Sequence, residues 1–147
     1  MVGLFVAYPF RPEAQLVVDS IIRPVLQDLG IRCYTGRGTH SSTVDAVNKL
    51  RDTIAQCSGL VAVVIGRNPN VFFEIGFATA LTKPCFLLAS NPSDAAMLEG
   101  TYPLIMTTSA DCAIRDLRHL LQFWLPDLLC ASAPVAAGPN RLRSMQP

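Results

Sequence analysis

Five short apolar runs, each separated from the next by a segment long enough to cross over a sheet, leave this chain few folds to choose from. The runs are residues 2–8 (VGLFVAY), 31–34, 60–65 (LVAVVI), 84–89 and 102–107. A strand that is apolar on both faces has to be covered on both faces, which is the condition of a central parallel sheet. Residues 12–29, 42–56 and 69–82 read as helices, 92–99 as a short helix or turn, and 109–125 as a last helix. Strand–helix alternation with right-handed crossovers implies a five-stranded parallel sheet between two helical layers, in the order 2-1-3-4-5. In that winding a ligand crevice opens at the carboxyl ends of strands one and three, where the direction of winding reverses. Two loops should line it: Tyr8-Pro9-Phe10-Arg11 and Gly66-Arg67-Asn68-Pro69-Asn70.

Local chemistry sets the expected boundaries. In 12–29, Leu16, Val17, Ile21, Val25 and Leu29 share a stripe, Pro24 bends the helix, and Gly30 ends it. Residues 35–42 form a polar loop, after which Ser41 or Ser42 caps a helix with Val44, Val47, Leu50 and Ile54 on one face. Asn68-Pro69 opens the third helix, with a capping side chain followed by proline at the first helical position. Ser109 or Asp111 opens the last helix, expected to stop before Pro126. Residues 1–125 then form one α/β domain. Residues 126–147, rich in Ala, Pro and Ser, read as a tail with little structure, from which Leu128-Leu129 can dock on the body.

Composition excludes several classes of function. Half of the 147 residues are apolar and 16% are charged, enough for one core and wrong for a disordered chain. A net charge of +1 without a basic block excludes a phosphate-tracking nucleic-acid groove. No apolar run is long enough to span a bilayer, and the first residues lack the basic segment of a secretory leader. The five cysteines show neither CxxC nor Cys/His spacing, so no metal site is expected. Cys33, Cys57, Cys85 and Cys112 lie in apolar segments and read as buried reduced thiols of a cytoplasmic protein, with Cys130 exposed.

One residue breaks the pattern. Residues 69–82 (PNVFFEIGFATALT) are apolar on nearly every helical face and should be largely buried, yet they carry Glu74. A carboxylate in such surroundings is costly unless paired or put to use, and its pKa should rise. Asn70 lies four residues earlier on the same face, and both fall in the first two turns, toward the expected crevice. Gly76 and Ala78 permit close approach of backbone or ligand. One buried carboxylate beside a pocket suits glycosidic bond cleavage, where it attacks or stabilises an oxocarbenium-like sugar carbon. The structural alternative is a glutamate paired with Arg11, Arg67 or a backbone N–H. Spacing leaves both open.

Residues 66–84 (GRNPNVFFEIGFATALTKP) resemble the NPNVxxExGxAxAL-x-KP signature of the nucleoside 2-deoxyribosyltransferase-like and TIR-like (Toll/interleukin receptor) nucleotide-binding families. Tyr8-Pro9-Phe10 is similar to the end of the family's first strand, and Glu99-Gly100-Thr101-Tyr102-Pro103-Leu104-Ile105 to the segment entering its last. The layout matches over residues 2–125, and 66–84 is the specific part. The resemblance implies a flavodoxin-like/TIR-like three-layer sandwich. It implies that Glu74 acts on the N-glycosidic bond of a nucleoside, a nucleotide or NAD. No metal or added cofactor is then required, NAD entering only as substrate. It also implies a homo-oligomer in which a neighbour closes the pocket, and a role in defence signalling. The sequence departs from the pattern at Val63, where many relatives carry an aspartate in an ADxTG run, and Arg32-Cys33-Tyr34 offers no acid either. Either a single glutamate suffices, or the domain is a nucleotide-sensing or self-association module without turnover.

On the catalytic reading Asn70 orients Glu74 or bonds a ribose hydroxyl. Arg11 and Arg67 hold phosphate through bidentate bonds, helped by backbone donors at Asn68 and Asn70. Tyr8 or Phe10 packs on the base, Phe10 being equally readable as core. Gly36-Arg37-Gly38 lacks the third glycine of a dinucleotide fingerprint and follows strand two, so it reads as a lid loop. His40 reads as a plain loop histidine and His119 as a surface residue. Phe123 and Trp124 read as core or as an oligomer contact.

Overall fold

The structure, a computed structural model, describes residues 1–36 and 44–131. Five parallel strands form one sheet: β1 (Gly3–Ala7), β2 (Arg32–Thr35), β3 (Gly59–Val63), β4 (Cys85–Ala89) and β5 (Leu104–Met106). Their order is β2-β1-β3-β4-β5, as the alternation requires. Because side chains alternate across a strand, each strand feeds two cores. Leu4, Val6, Val61, Val63, Phe86 and Leu88 face one layer. Phe5, Ala7, Leu60, Ala62, Leu87 and Ala89 face the other.

The first layer holds α1 (Pro12–Val17), a π-helical stretch over Val18–Ile22, α2 (Arg23–Asp28) and α5 (Ala110–Ala131). The second holds α3 (Val44–Gln56), α4 (Pro69–Ala80) and a 3-10 helix over Pro92–Leu98. An ion pair between Arg118 and Asp28 at 2.6 Å ties α5 to α2. Among the described residues no helix is long and apolar enough to cross a membrane.

Several local expectations are corrected. The segment 12–29 is not one regular α-helix interrupted only by Pro24. It widens into a π-helical stretch just before it, which removes the clash between the proline ring and the carbonyl four residues back. Its buried stripe runs through Ala14, Val18, Ile21, Ile22, Val25 and Leu26, while Leu16 faces solvent. In α3 Ile54 is buried and Leu50 half-buried, but Val44 and Val47 are exposed, because the helix touches the sheet only toward its carboxyl end. The expected caps Ser41 and Ser42, like Arg37, Gly38 and His40, lie outside the described residues. Strand five is shorter than 102–107, and Cys112 is exposed rather than buried.

The largest correction concerns the carboxyl end. Helix α5 does not stop before Pro126 but continues through it to Ala131, so residues 126–131 belong to the folded body. Proline removes one helical hydrogen bond. Leu128 offsets that loss, being fully buried in the α1–α5 core. Its docking leaves no room at Gly59, where a Cβ would lie 3.1 Å from Leu128 Cδ2 and 2.8 Å from the Pro84 carbonyl oxygen. The remainder of the expected tail lies outside the described residues.

Candidate functional site

The pairing of β1 with β3 sets Ala7 beside Ala62, so the chain leaves the sheet at two neighbouring points. From the first come Tyr8, Pro9, Phe10 and Arg11, leading into α1. From the second come Gly66, Arg67 and Asn68, leading into α4. The amino ends of the two helices therefore flank the winding reversal, one on each side of the sheet. Gly66 adopts a positive φ of 61°, which glycine reaches without strain and which turns the chain toward α4. Asn68 is the N-cap: its side-chain oxygen accepts from the N–H groups of Asn70 (3.0 Å) and Val71 (3.2 Å). Pro69 follows at the first position.

Helix α4 buries one face only, through Val71, Ile75 and Ala78. The expectation that it is buried nearly all round is corrected: Phe73, Gly76, Ala80 and Leu81 are exposed, since the layer is one helix thick and its outer face meets solvent. On one flank Thr79 bonds Tyr102 through their hydroxyls at 2.6 Å. On the other, Phe77 lies beneath the Arg51 guanidinium of α3, 5.4 Å from its ring centroid, and stacks with Phe73. Helical phase puts Glu74 on the Phe77 flank, three residues earlier and one turn beyond Asn70.

Glu74 is half-buried. Among the described residues it has no hydrogen-bond or ion-pair partner, so neither Arg11 nor Arg67 neutralises it. Burial alone pushes its carboxyl from the ordinary 4.5 up to about 7. The paired structural glutamate left open by the spacing is thus not what the fold builds. Asn70 is exposed, and among the described residues its side chain does not bond Glu74.

The remaining residues divide sharply. Tyr8 is core, 6% exposed, its hydroxyl donating to Gln15 Oε1 at 3.3 Å, so it offers no face to a ligand. Pro9 is buried beside it. Phe10 is 64% exposed at the crevice mouth and meets Tyr8 edge-on at 5.8 Å. Arg11 and Arg67 are exposed, and neither forms an ion pair among the described residues. Lys83, at the other edge of the sheet, donates from Nζ to the Cys57 carbonyl at 2.5 Å. Burial lowers its pKa, and its role is to tie the end of α4 to the start of β3.

Two features escaped the sequence reading. Arg51 of α3 packs on Phe77, one turn along α4 from Glu74, and only the three-residue spacing from Glu74 to Phe77 hinted at that flank. The loop after β4 is a third contributor to the same edge, because Val63 pairs with Leu88 and Ala89 ends the strand. There Asn91 accepts from the Ser93 N–H at 3.1 Å and caps the 3-10 helix. The signal was a second Asn-Pro pair, Asn91-Pro92, opening a helix as Asn68-Pro69 does. Among the described residues no group of His, Cys, Asp and Glu could hold a metal ion.

By sequence the chain matches no family model and no curated protein. By structure it is similar to the CMP N-glycosidase of Clostridium botulinum, with a TM-score of 0.63 at 17% identity over 81% of this chain and 99% of that one. It is also similar to a de novo designed Rossmann 2x3 protein, with a TM-score of 0.55 at 8% identity over 83% and 90%. A 2-deoxyribosyltransferase of Bacillus psychrosaccharolyticus aligns with a TM-score of 0.49 at 20% identity over 61% and 74%. At 17% and 8% identity the first two likenesses show the fold alone: a five-stranded Rossmann-like, flavodoxin-like parallel sheet between helical layers.

Proposed function

We propose that this chain is an N-glycosidase acting on a nucleotide, with Glu74 as the carboxylate that meets the anomeric carbon. The observation that carries the reading is the partnerless, desolvated carboxyl on the second turn of α4, at the winding reversal of the sheet. A structural glutamate is kept for its partner, and Glu74 has none among the described residues. The ionised carboxylate attacks or stabilises the sugar carbon as the C–N bond breaks, and the bond's electron pair leaves with the base. Water reaching the sugar completes hydrolysis, and a second base arriving there gives transfer. The active form is the ionised one, so the rate rises with pH through about 7.

The other residues fit a phosphorylated substrate. Arg11 and Arg67, exposed on the two neighbouring loops, are free to hold phosphate, and Phe10 offers a ring for the base. Asn70 reaches a ribose hydroxyl. Similarity to a CMP N-glycosidase supports a nucleoside monophosphate over a free nucleoside, with NAD as the larger candidate. The proposal takes the protein to be cytoplasmic and homo-oligomeric, with no metal or added cofactor. A second reading, nucleotide binding without turnover, is favoured by one observation: burial is the only cause acting on Glu74, with no second carboxylate coupled to it.

The deciding experiment incubates the purified chain with CMP, other nucleoside monophosphates, nucleosides and NAD, following free base by chromatography. Base release that disappears in Glu74→Gln is the expected result. Release that survives the substitution overturns the role of Glu74. Binding without release at high protein concentration establishes the sensing module instead.

A further inference from the structure

The outward face of α5 carries two thiols in a register the fold does not use. Cys112 and Cys130 are both exposed and stand eighteen positions apart, five turns at 3.6 residues per turn. They point the same way, away from the buried row of Ala113, Leu117, Leu121 and Leu128. Between them on the same stripe lie His119 and Phe123, the latter 77% exposed and resting edge-on against Trp124. Arg115, on the margin of the stripe, pairs with Asp116 of its own helix at 3.0 Å. The other three cysteines are buried or half-buried, so these two are the accessible thiols of the described residues.

We propose that this stripe is a self-complementary surface on which a second copy of the chain docks with its α5 antiparallel, and that small disulfides lock the pair through two Cys112–Cys130 bonds. A two-fold axis at the middle of the stripe sets Cys112 against Cys130 of the second copy. The same register sets Arg115 against Asp127 and His119 against Phe123, giving opposite charges and an aromatic contact near the axis. Helices packed with axes ~8–10 Å apart and a Cα radius of ~2.3 Å bring facing Cα atoms to roughly 3.5–5.5 Å. That overlaps the ~4.4–6.8 Å a disulfide needs. A single helix pair of this length covers far less than the ~800 Å² per partner of a standard interface, so the thiols supply the permanence the contact lacks.

Each bond forms by exchange. The Cys112 thiolate attacks a low-molecular-weight disulfide such as oxidised glutathione and releases one thiol. Cys130 of the second copy then attacks the mixed disulfide and releases the other. Two protein thiols are oxidised, one small disulfide is reduced to two thiols, and the two protons leave with them.

The test treats the full chain with oxidised glutathione and reads covalent dimer on non-reducing denaturing gels, with peptide mapping of the linkage. The expected product is a dimer joined through Cys112–Cys130. Cys112→Ser alone and Cys130→Ser alone give no dimer, because like cysteines sit at opposite ends of the paired helices. Mixing the two variants restores one cross-link, and Phe123→Ser in the otherwise native chain slows cross-linking several-fold. Cys112–Cys112 or Cys130–Cys130 linkage, no dimer at all, or dimer formed by either single variant overturns the proposal. None of these outcomes depends on the catalytic reading.

Discussion

Glu74 should make the protein less stable as pH rises, and replacing it by glutamine should remove that cost. The folded chain holds the Glu74 proton up to about pH 7, whereas the unfolded chain releases it near 4.5. Between those values the native state binds more protons than the unfolded state, so unfolding free energy falls as pH climbs. Below the window the carboxyl is neutral in both states and contributes no penalty. Above it the full cost of a charge in an apolar flank is present. The gap between 4.5 and about 7 corresponds to about 3 kcal/mol at 1.36 kcal/mol per unit. Water reaches the half-buried group and screens it, which lowers the expectation to about 1.5–3 kcal/mol.

Glutamine has the same shape and no charge. Thermal melts of Glu74→Gln and the native chain should nearly coincide at pH 4.5. By pH 8 the variant should melt higher by roughly 3–12 °C, at ~2–4 °C per kcal/mol for a chain of this size. All other titrating groups are common to both proteins and cancel in the difference. A melting difference that stays constant across pH, or a variant less stable than the native chain at pH 8, refutes the reasoning. It would mean that Glu74 has a partner that stabilises its charge. The expected gain in stability at the expense of activity is the trade made when a charged group is held ready for use.

Gly59→Ala should destabilise by about 1–3 kcal/mol, since its Cβ would meet the Pro84 carbonyl and Leu128 at contact distances that leave no room. Urea unfolding measures this, and a near-neutral result would mean that the end of α5 is not docked as described. Asn68→Ala removes both cap hydrogen bonds of α4 and should cost about 1 kcal/mol, with Asn68→Asp retaining most of the stability in the same assay. Phe10→Ser should leave the melting temperature within about 1 °C, in keeping with surface substitutions, while weakening nucleotide binding by calorimetry. Tyr8→Ser should instead lower stability, because Tyr8 is core. The reverse pattern would exchange their roles.

Much of this protein could be read from residues alone because the signals were local. LVAVVI is apolar on both faces and had to be a central strand, and the alternation around it settled the winding order. Asn68-Pro69 placed the start of α4 to the residue, because a cap depends on groups within three positions. The odd carboxylate in an apolar helix was visible for the same reason. Tertiary structure decided the rest. Pro126 reads as a stop in any local rule, yet α5 runs through it because Leu128 packs over Gly59, far away in sequence. Tyr8 and Phe10, two positions apart and chemically alike, part into core and mouth because the packed first layer covers Tyr8, where Gln15 of α1 meets its hydroxyl, and leaves Phe10 outside. Periodicity could say that Glu74 was alone on its helix. Whether an arginine reached it, and how much water was shut out, depended on where α3 and two distant loops came to rest, and a chain's own pattern holds no record of such distances.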